Sequence, residues 1–468
     1  MQLPINESEI KRILSVALET GAEFAELFFE NTEGTNILFE ENKVKDFKIF
    51  SDCGLGIRVV KNGIFGYACT SDLNFSSIIS AVKIARSIAN ASNNSKTFTL
   101  AMRESHIVSR ILKPCITASE EAKINLLERA NNSARENENY ISQVIVKYND
   151  YQQNVQIFNT DGVWAKDTRN LIEFSVRVIA KKGDMLQTVV RGKGGQYGLE
   201  IFDTITPESI AKDASTAAIK MLDAKPSPTG PMTVVINNGI GDGGVLIHEA
   251  CGHALESDFI VKKNSIYSDM IGKQVASSLI TMIDDGSLPE RSGSFFCDDE
   301  GTIAKRNILI EKGVLKGYMC DLIGAKQLNM LPTGNGRRQS FRYAPIPRMT
   351  CTFIDNGNRK PDEIIKEVKK GFFVARIGGG SGDLTGGGFI FTVEEGYLIE
   401  NGEITTPVRG ATLEGKGSDV LLGIDAVGND LQLDSGGGGR CGKMQLAPVS
   451  FGQPTIRIKN MLIGGTSI

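Results

Sequence analysis

The chain of 468 residues has only three histidines, and two of them close the run His248-Glu249-Ala250-Cys251-Gly252-His253. A scarce imidazole repeated beside a carboxylate suggests a metal site. Imidazoles bind zinc well, and catalytic zinc usually keeps three protein ligands and one open position. A glutamate directly after the first histidine can act as general base towards water activated by the metal. The plainer alternative is two core histidines on an apolar helix. The spacing sets a structural condition. Histidines four apart lie about 40° apart around an α-helix, whereas five apart they diverge by about 140°. A straight helix cannot aim both rings at one ion. An i→i+5 turn brings them back into line, and Gly252 leaves room for such a distortion. A π-type turn across 248–253 is therefore predicted, and a straight helix there would exclude a shared metal.

Spacing leaves the third ligand open. His106 stands in an ordinary polar setting and is disfavoured, and Cys251 points off the face shared by the histidines. Glu256 and Asp258 follow closely enough to ligate or to support a ligand from behind. Cys441 lies in Ser435-Gly436-Gly437-Gly438-Gly439-Arg440-Cys441-Gly442-Lys443. Glycines on both sides let its backbone approach another element, and a thiolate binds zinc well. Arg337, Arg338, Arg342, Tyr343 and Arg348 share one glycine- and proline-punctuated stretch. They are candidates to bind substrate or meet developing charge, against the plainer reading of surface cations and a packed tyrosine. Gly410–Gly417 narrowly misses a phosphate-binding loop, because Gly417 stands where that loop needs Ser or Thr. The runs Gly378–Gly382 and Gly386–Gly388 could form anion nests, but read rather as tight turns or close backbone approaches at a substrate channel.

The elements that must hold these residues divide unevenly. Residues 1–229 contain 12 glycines and residues 230–468 contain 39. Between them Asp223–Pro231 carries three prolines and reads as a stiff linker. The expected fold is α+β with two domains. Residues 1–225 form a mixed helix and antiparallel-sheet scaffold or dimerisation domain. Residues 230–468 form a glycine-rich, mostly β domain carrying the metal-site helix, read as one helix over 244–255. Ile10, Ile13, Leu14, Ala17 and Leu18 mark a first helix opened by Asn6 and Glu9. Asn62-Gly63 marks a hairpin. Helices are expected near 73–91, 118–137, 208–223 and 361–370. The formal net charge is −3, without the basic footprint that nucleic-acid binding needs. No segment approaches the ~18 apolar residues of a membrane helix, and the N-terminus lacks a signal pattern. The expected location is the cytoplasm. Eight cysteines, none in a Cys-x-x-Cys pair, fit a reduced protein without an iron–sulfur or redox motif.

Further motifs follow in order. They are Leu255-Glu256-x-Asp258, Asp298-Asp299-Glu300-Gly301-Thr302, Thr333-Gly334-Asn335-Gly336-Arg337-Arg338, Arg348-Met349-Thr350, Val427-Gly428-Asn429-Asp430-Leu431, Cys441-Gly442-Lys443 and Gly452-Gln453-Pro454-Thr455. With the histidine motif they cover most of 240–468, and as a set the chain resembles the TldD/PmbA family. The resemblance implies a zinc metallopeptidase, with His248, His253 and Cys441 as ligands and Glu249 as the catalytic carboxylate. It favours unfolded or small peptides as substrates. It also implies a dimer, since the family pairs a subunit that keeps the metal site with a TldE/PmbA-like subunit that lacks it. This chain keeps the site, so the expected partner is a TldE/PmbA-like chain or a second copy. A thiolate ligand makes zinc a weaker Lewis acid than a third imidazole would, so modest turnover is expected. The rival reading is a non-catalytic peptide-binding or regulatory assembly protein with a structural zinc, which would have no need of Glu249.

Overall fold

A computed structural model describes residues 4–19, 21–89, 98–103, 109–136, 139–383, 387–434 and 439–465. His106 lies outside the described residues. The first helix, Glu7–Leu18, starts on the expected reciprocal cap. The Asn6 side chain accepts from the Glu9 N–H at 3.0 Å, and Glu9 accepts from the Asn6 N–H at 2.9 Å. The helix buries Ile10, Ile13, Leu14, Ala17 and Leu18. Asn62 and Gly63 take φ of 50° and 77°, the left-handed pair that joins Lys43–Lys61 to Ile64–Thr70 in a tight hairpin.

Four long antiparallel strands form the middle of a first, seven-stranded sheet: Lys43–Lys61, Phe24–Glu40, Ile141–Asn159 and Val163–Lys182. Helices Glu7–Leu18 and Phe75–Ala89 pack against part of it, and Glu120–Ala134 and Pro207–Leu222 against another part. The amphipathic repeats therefore end up where an α+β reading puts them. Met185–Gly195 pairs only with Val163–Lys182 among the described residues, which leaves its other edge unpaired by strand.

The C-terminal half contains a closed ring of strands. Lys370–Gly382 runs parallel to Gly230–Ile236, which pairs in turn with Ile456–Gly464, Thr412–Lys416, Gly388–Glu400 and back to Lys370–Gly382. Closure removes sheet edges. A separate six-stranded sheet includes Met282–Asp285, Cys351–Ile354 and Ser450–Gln453. The segment over 223–231 is woven into this half. Lys225–Pro226 pairs with Glu403–Arg409, and the ring strand Gly230–Ile236 follows directly. The helix read over 361–370 is shorter, Pro361–Lys366.

Buried ion pairs join the two halves. Arg58 meets Glu26 at 2.9 Å and Glu300 at 2.6 Å, Arg169 meets Asp299 at 2.7 Å, and Arg338 pairs with Glu26. Asp298 accepts from the backbone N–H groups of Glu300, Thr302 and Gly336. The 298–302 motif is thus a joint between halves. Buried pairs of this kind are weak evidence for net stability, but losing one partner is costly. Among the described residues no helix is long and apolar enough to cross a membrane.

Candidate metal centre

The segment over 244–255 is not one regular helix. It runs as an α-turn, Gly244–Ile247, then a π-turn, His248–Gly252, then a 3₁₀ turn, His253–Leu255. The physical reason is packing on several sides. Leu246, Ile247, Ala250, Cys251, Ala254 and Leu255 are all buried in one core with ring residues such as Phe372 and Phe391. The segment also touches Cys351–Ile354 and Ser450–Gln453 of the six-stranded sheet. A Cβ on Gly252 would stand 2.2 Å from Met349 Sδ, and one on Gly417 would stand 2.1 Å from the Ala250 carbonyl oxygen. Both glycines are required by close approach to this turn.

The π-turn brings the two imidazoles together, with ring centroids 5.3 Å apart. Cys441 arrives from a short hairpin, Arg440–Gly442 paired with Leu446–Pro448, and its Sγ lies 2.9 Å from His253 Nε2. One donor atom from each of His248, Glu249, His253 and Cys441 lies within 4.8 Å of all the others. The structure thus places Cys441 beside the histidine pair. Glu256 and Asp258 stand behind it. Glu256 Oε2 meets His253 Nδ1 at 3.0 Å, orienting the ring so that Nε2 faces Cys441. Cys251 is fully buried in the core, off the shared face as expected.

A buried cation holds this arrangement. Lys443 Nζ donates to Glu256 at 2.8 Å, Asp258 at 2.7 Å and the Pro347 carbonyl at 3.0 Å. Arg348 donates to the carbonyls of Cys441 and Gln445, each at 2.7 Å. The hairpin carrying Cys441 is therefore pinned from both sides. Burial raises the Glu256 pKa, but Lys443 and His253 outweigh it and bring the carboxyl down to about 2. Burial likewise raises the Cys441 thiol, yet the two histidines bring it down to about 5. Burial lowers His253, but Glu256 and Cys441 raise it to about 10. A thiolate facing two imidazoles is the ligand form zinc needs, and His253 must release a proton to ligate.

The donor set fits a zinc ion. Two imidazoles and a thiolate are all common zinc ligands, and His248 Nδ1 is buried without a hydrogen-bond partner. Glu249 is different, with a quarter-exposed side chain 3.8 Å from His253 Nε2. It faces a cavity of about 380 Å³ lined also by His248, Cys441, Gly378, Arg376 and Val190. Gly378 and Gly379 lie where the pairing of Lys370–Gly382 slips register, so one glycine run belongs to the cavity wall.

The arginine stretch falls elsewhere. Arg337, Arg338 and Arg348 are buried, whereas sequence reading left them between substrate contacts and surface cations. Arg338 and Arg348 are spent on the contacts described above, and Arg337 donates to the Met349 carbonyl at 2.7 Å. Tyr343 is 37% exposed. None of the four lines the metal cavity. Arg376, Val190 and Gly192 are among the wall residues that the sequence did not single out. Arg376 pairs with Asp242 at 2.6 Å. Val190 and Gly192 come from the edge strand Met185–Gly195, so the first half supplies a wall. Nothing local in the sequence marks them, because their role comes from non-local pairing.

The chain is similar to known proteins along most of its length. Three family models match, described as PmbA/TldA metallopeptidase domain 1 over 25–89, central domain over 113–222 and C-terminal domain over 229–465. A metalloprotease TldD homologue of Buchnera aphidicola is 36% identical, covering 99% of this chain and 97% of the relative. One from Haemophilus influenzae is 35% identical over the same shares. A zinc metalloprotease TldD homologue of Saccharolobus solfataricus is 27% identical over 97% of this chain and 99% of its own length. Two crystal structures share the fold. A Thermotoga maritima protein crystallised as a candidate modulator of a DNA gyrase has a TM-score of 0.80 at 21% identity, covering 98% of this chain and all of its own. TldE of Thermococcus kodakarensis has a TM-score of 0.76 at 20% identity, with the same coverage.

Proposed function

The chain belongs to the PmbA/TldD metallopeptidase family, and from that premise we propose that it is a zinc-dependent peptidase acting on unfolded or small peptides. The observation that carries this reading is the π-turn, which aligns His248 and His253 with Cys441 while leaving Glu249 open to a cavity. His248, His253 and Cys441 would hold the ion. A zinc ion held there would supply Lewis acidity towards a carbonyl and a water. Glu249 takes the proton from the attacking water and delivers it to the leaving amine. Glu256 fixes the His253 ring through Nδ1, and Lys443 keeps Glu256 ionised. An extended peptide has a docking edge in Met185–Gly195, whose Val190 and Gly192 border the cavity; strand addition would hold it by main-chain bonds, with the peptide replacing Glu394 as acceptor for the Val190 N–H, which now donates to that carboxylate at 3.1 Å. We place the protein in the cytoplasm as a dimer, either with a TldE-like partner or with itself. A structural zinc would give Glu249 no reason to face a cavity, which disfavours the non-catalytic rival.

The test is metal content and peptide cleavage for wild type and Glu249→Gln. The expected result is one zinc per chain in both and cleavage lost only in the variant. Unchanged cleavage in Glu249→Gln removes that residue from the mechanism. Absence of zinc from wild type overturns the reading.

A further inference from the structure

A second cavity, of about 270 Å³, lies where the first sheet meets the turn-rich segments of the C-terminal half. Tyr151, Ser292, Arg337 and Arg440 are among its walls. Arg440 also lines the metal cavity and directly precedes Cys441. The two cavities therefore share a wall residue, and that residue is next to a candidate metal ligand.

Arg337 is unusual among the arginines here. It is 5% exposed. Its Nη1 donates to the Met349 carbonyl, and its guanidinium lies over the Phe295 ring at 5.2 Å. No carboxylate among the described residues stands within ion-pair distance of it, whereas Arg169 has two and Arg338 and Arg440 one each. A guanidinium has five N–H donors, and one hydrogen bond accounts for a single donor. Burial lowers its pKa to about 10; the attraction of Asp299 raises it, but not enough to offset burial and the repulsion of Arg169 and Arg348. Ser292 Oγ, on the same cavity, is also buried without a partner. The two carboxylates on the walls are already engaged. Glu30 accepts from Thr32, Gln153 and the Phe341 N–H, and Asp299 accepts from Arg169 and the Arg338 N–H. A buried cation without a charge partner is costly, and an arginine is best matched by a planar, bidentate carboxylate.

We propose that this cavity binds a carboxylate of the peptide substrate, with Arg337 as the counter-ion, and serves as a specificity subsite reached past Arg440. The proposal rests on the peptidase reading above. Two sources supply the same chemistry, the C-terminal carboxylate of a short peptide and an acidic side chain.

The experiment uses the zinc-loaded full chain, with its partner subunit where one co-purifies. Three matched peptides are compared: a neutral peptide with an amidated C-terminus, the same peptide as free acid, and the amide carrying one glutamate. A KM at least about ten-fold lower for a carboxylate peptide than for the neutral amide is expected, the size of a charged hydrogen-bonded contact, with the difference in KM rather than kcat. A free-acid preference assigns the C-terminal carboxylate, and a glutamate preference assigns the side chain. Arg337→Gln should erase the discrimination. Equal KM values in wild type, or a preference that survives Arg337→Gln, overturn the proposal. If Arg337→Gln does not fold, the wild-type comparison alone decides. If no peptide is cleaved, the peptidase reading fails separately. Equilibrium binding of the three peptides to the same protein then decides the subsite, and equal affinities overturn it.

Discussion

Replacing Lys443 by Met should damage the metal centre without touching any candidate ligand. Lys443 is 5% exposed and bonds Glu256, Asp258 and the Pro347 carbonyl at 2.7–3.0 Å. Met fills much the same space but removes the charge and three hydrogen bonds. Breaking a buried pair from one side costs about 3–5 kcal/mol, because the other charge stays buried. Glu256 is fully buried and keeps only His253 Nδ1 at 3.0 Å, the Met349 N–H at 3.2 Å and Arg348 Nε at 3.8 Å. Asp258 is a quarter exposed and regains water. The loss should therefore sit near the lower end, about 3 kcal/mol. Lys443 also ties the hairpin of Cys441 to the segment that orients His253, so zinc affinity should fall about 10–100-fold, as for other supporting partners of metal ligands.

Two measurements check this. Competition with a chromophoric chelator gives zinc affinity, and denaturant unfolding of the metal-free chain gives stability. The exposed Lys369→Met is the control. The Lys443→Met/Glu256→Gln pair should unfold less readily than Lys443→Met alone, since the fully buried carboxylate is gone and only the quarter-exposed Asp258 remains. Zinc affinity within three-fold of wild type, together with an unchanged unfolding midpoint, would refute the argument that Lys443 organises the site.

Other outcomes follow from the same geometry. Cys441→Ser should keep the fold but lower zinc affinity at least about ten-fold, because a hydroxyl is a poorer zinc ligand than a thiolate; retained zinc stoichiometry under chelator challenge would remove Cys441 from the ligand set. Gly417→Ala pushes a methyl against the Ala250 carbonyl, so it should cost about 1–3 kcal/mol and weaken zinc binding, read by unfolding and by competition. Burial, with Asp242 nearby, raises Asp434 from 3.8 to about 6. A raised carboxyl contributes stability that is present below about pH 3.8 and lost as pH rises through 6. Wild type should therefore lose up to about 3 kcal/mol relative to Asp434→Asn between pH 4 and 7, and parallel unfolding curves across that range would contradict the assignment.

What was legible in the sequence was local. His248 and His253 are five apart, and arithmetic on helix geometry alone required the π-turn that is present. Asn6 with Glu9, and Asn62 with Gly63, announced a cap and a hairpin because both signals act over four residues or fewer. Cys441 was only one of several open ligands by spacing, since 188 residues separate it from His253 and only family resemblance singled it out. Lys443 stands within the Cys441-Gly442-Lys443 motif, yet its burial is set by a hairpin docking on Glu256, which no local pattern encodes. The arginines at 337, 338 and 348 show the same limit from the other side. Their composition suggested surface or substrate contact, but the joint between halves buries them. Arg338 meets a carboxylate from a strand some 300 residues earlier. Arg337 has no such partner, and that difference between adjacent residues is visible only once the strands are paired. Non-local pairing thus separates a cation tied to a carboxylate across the joint from a neighbour that meets none among the described residues.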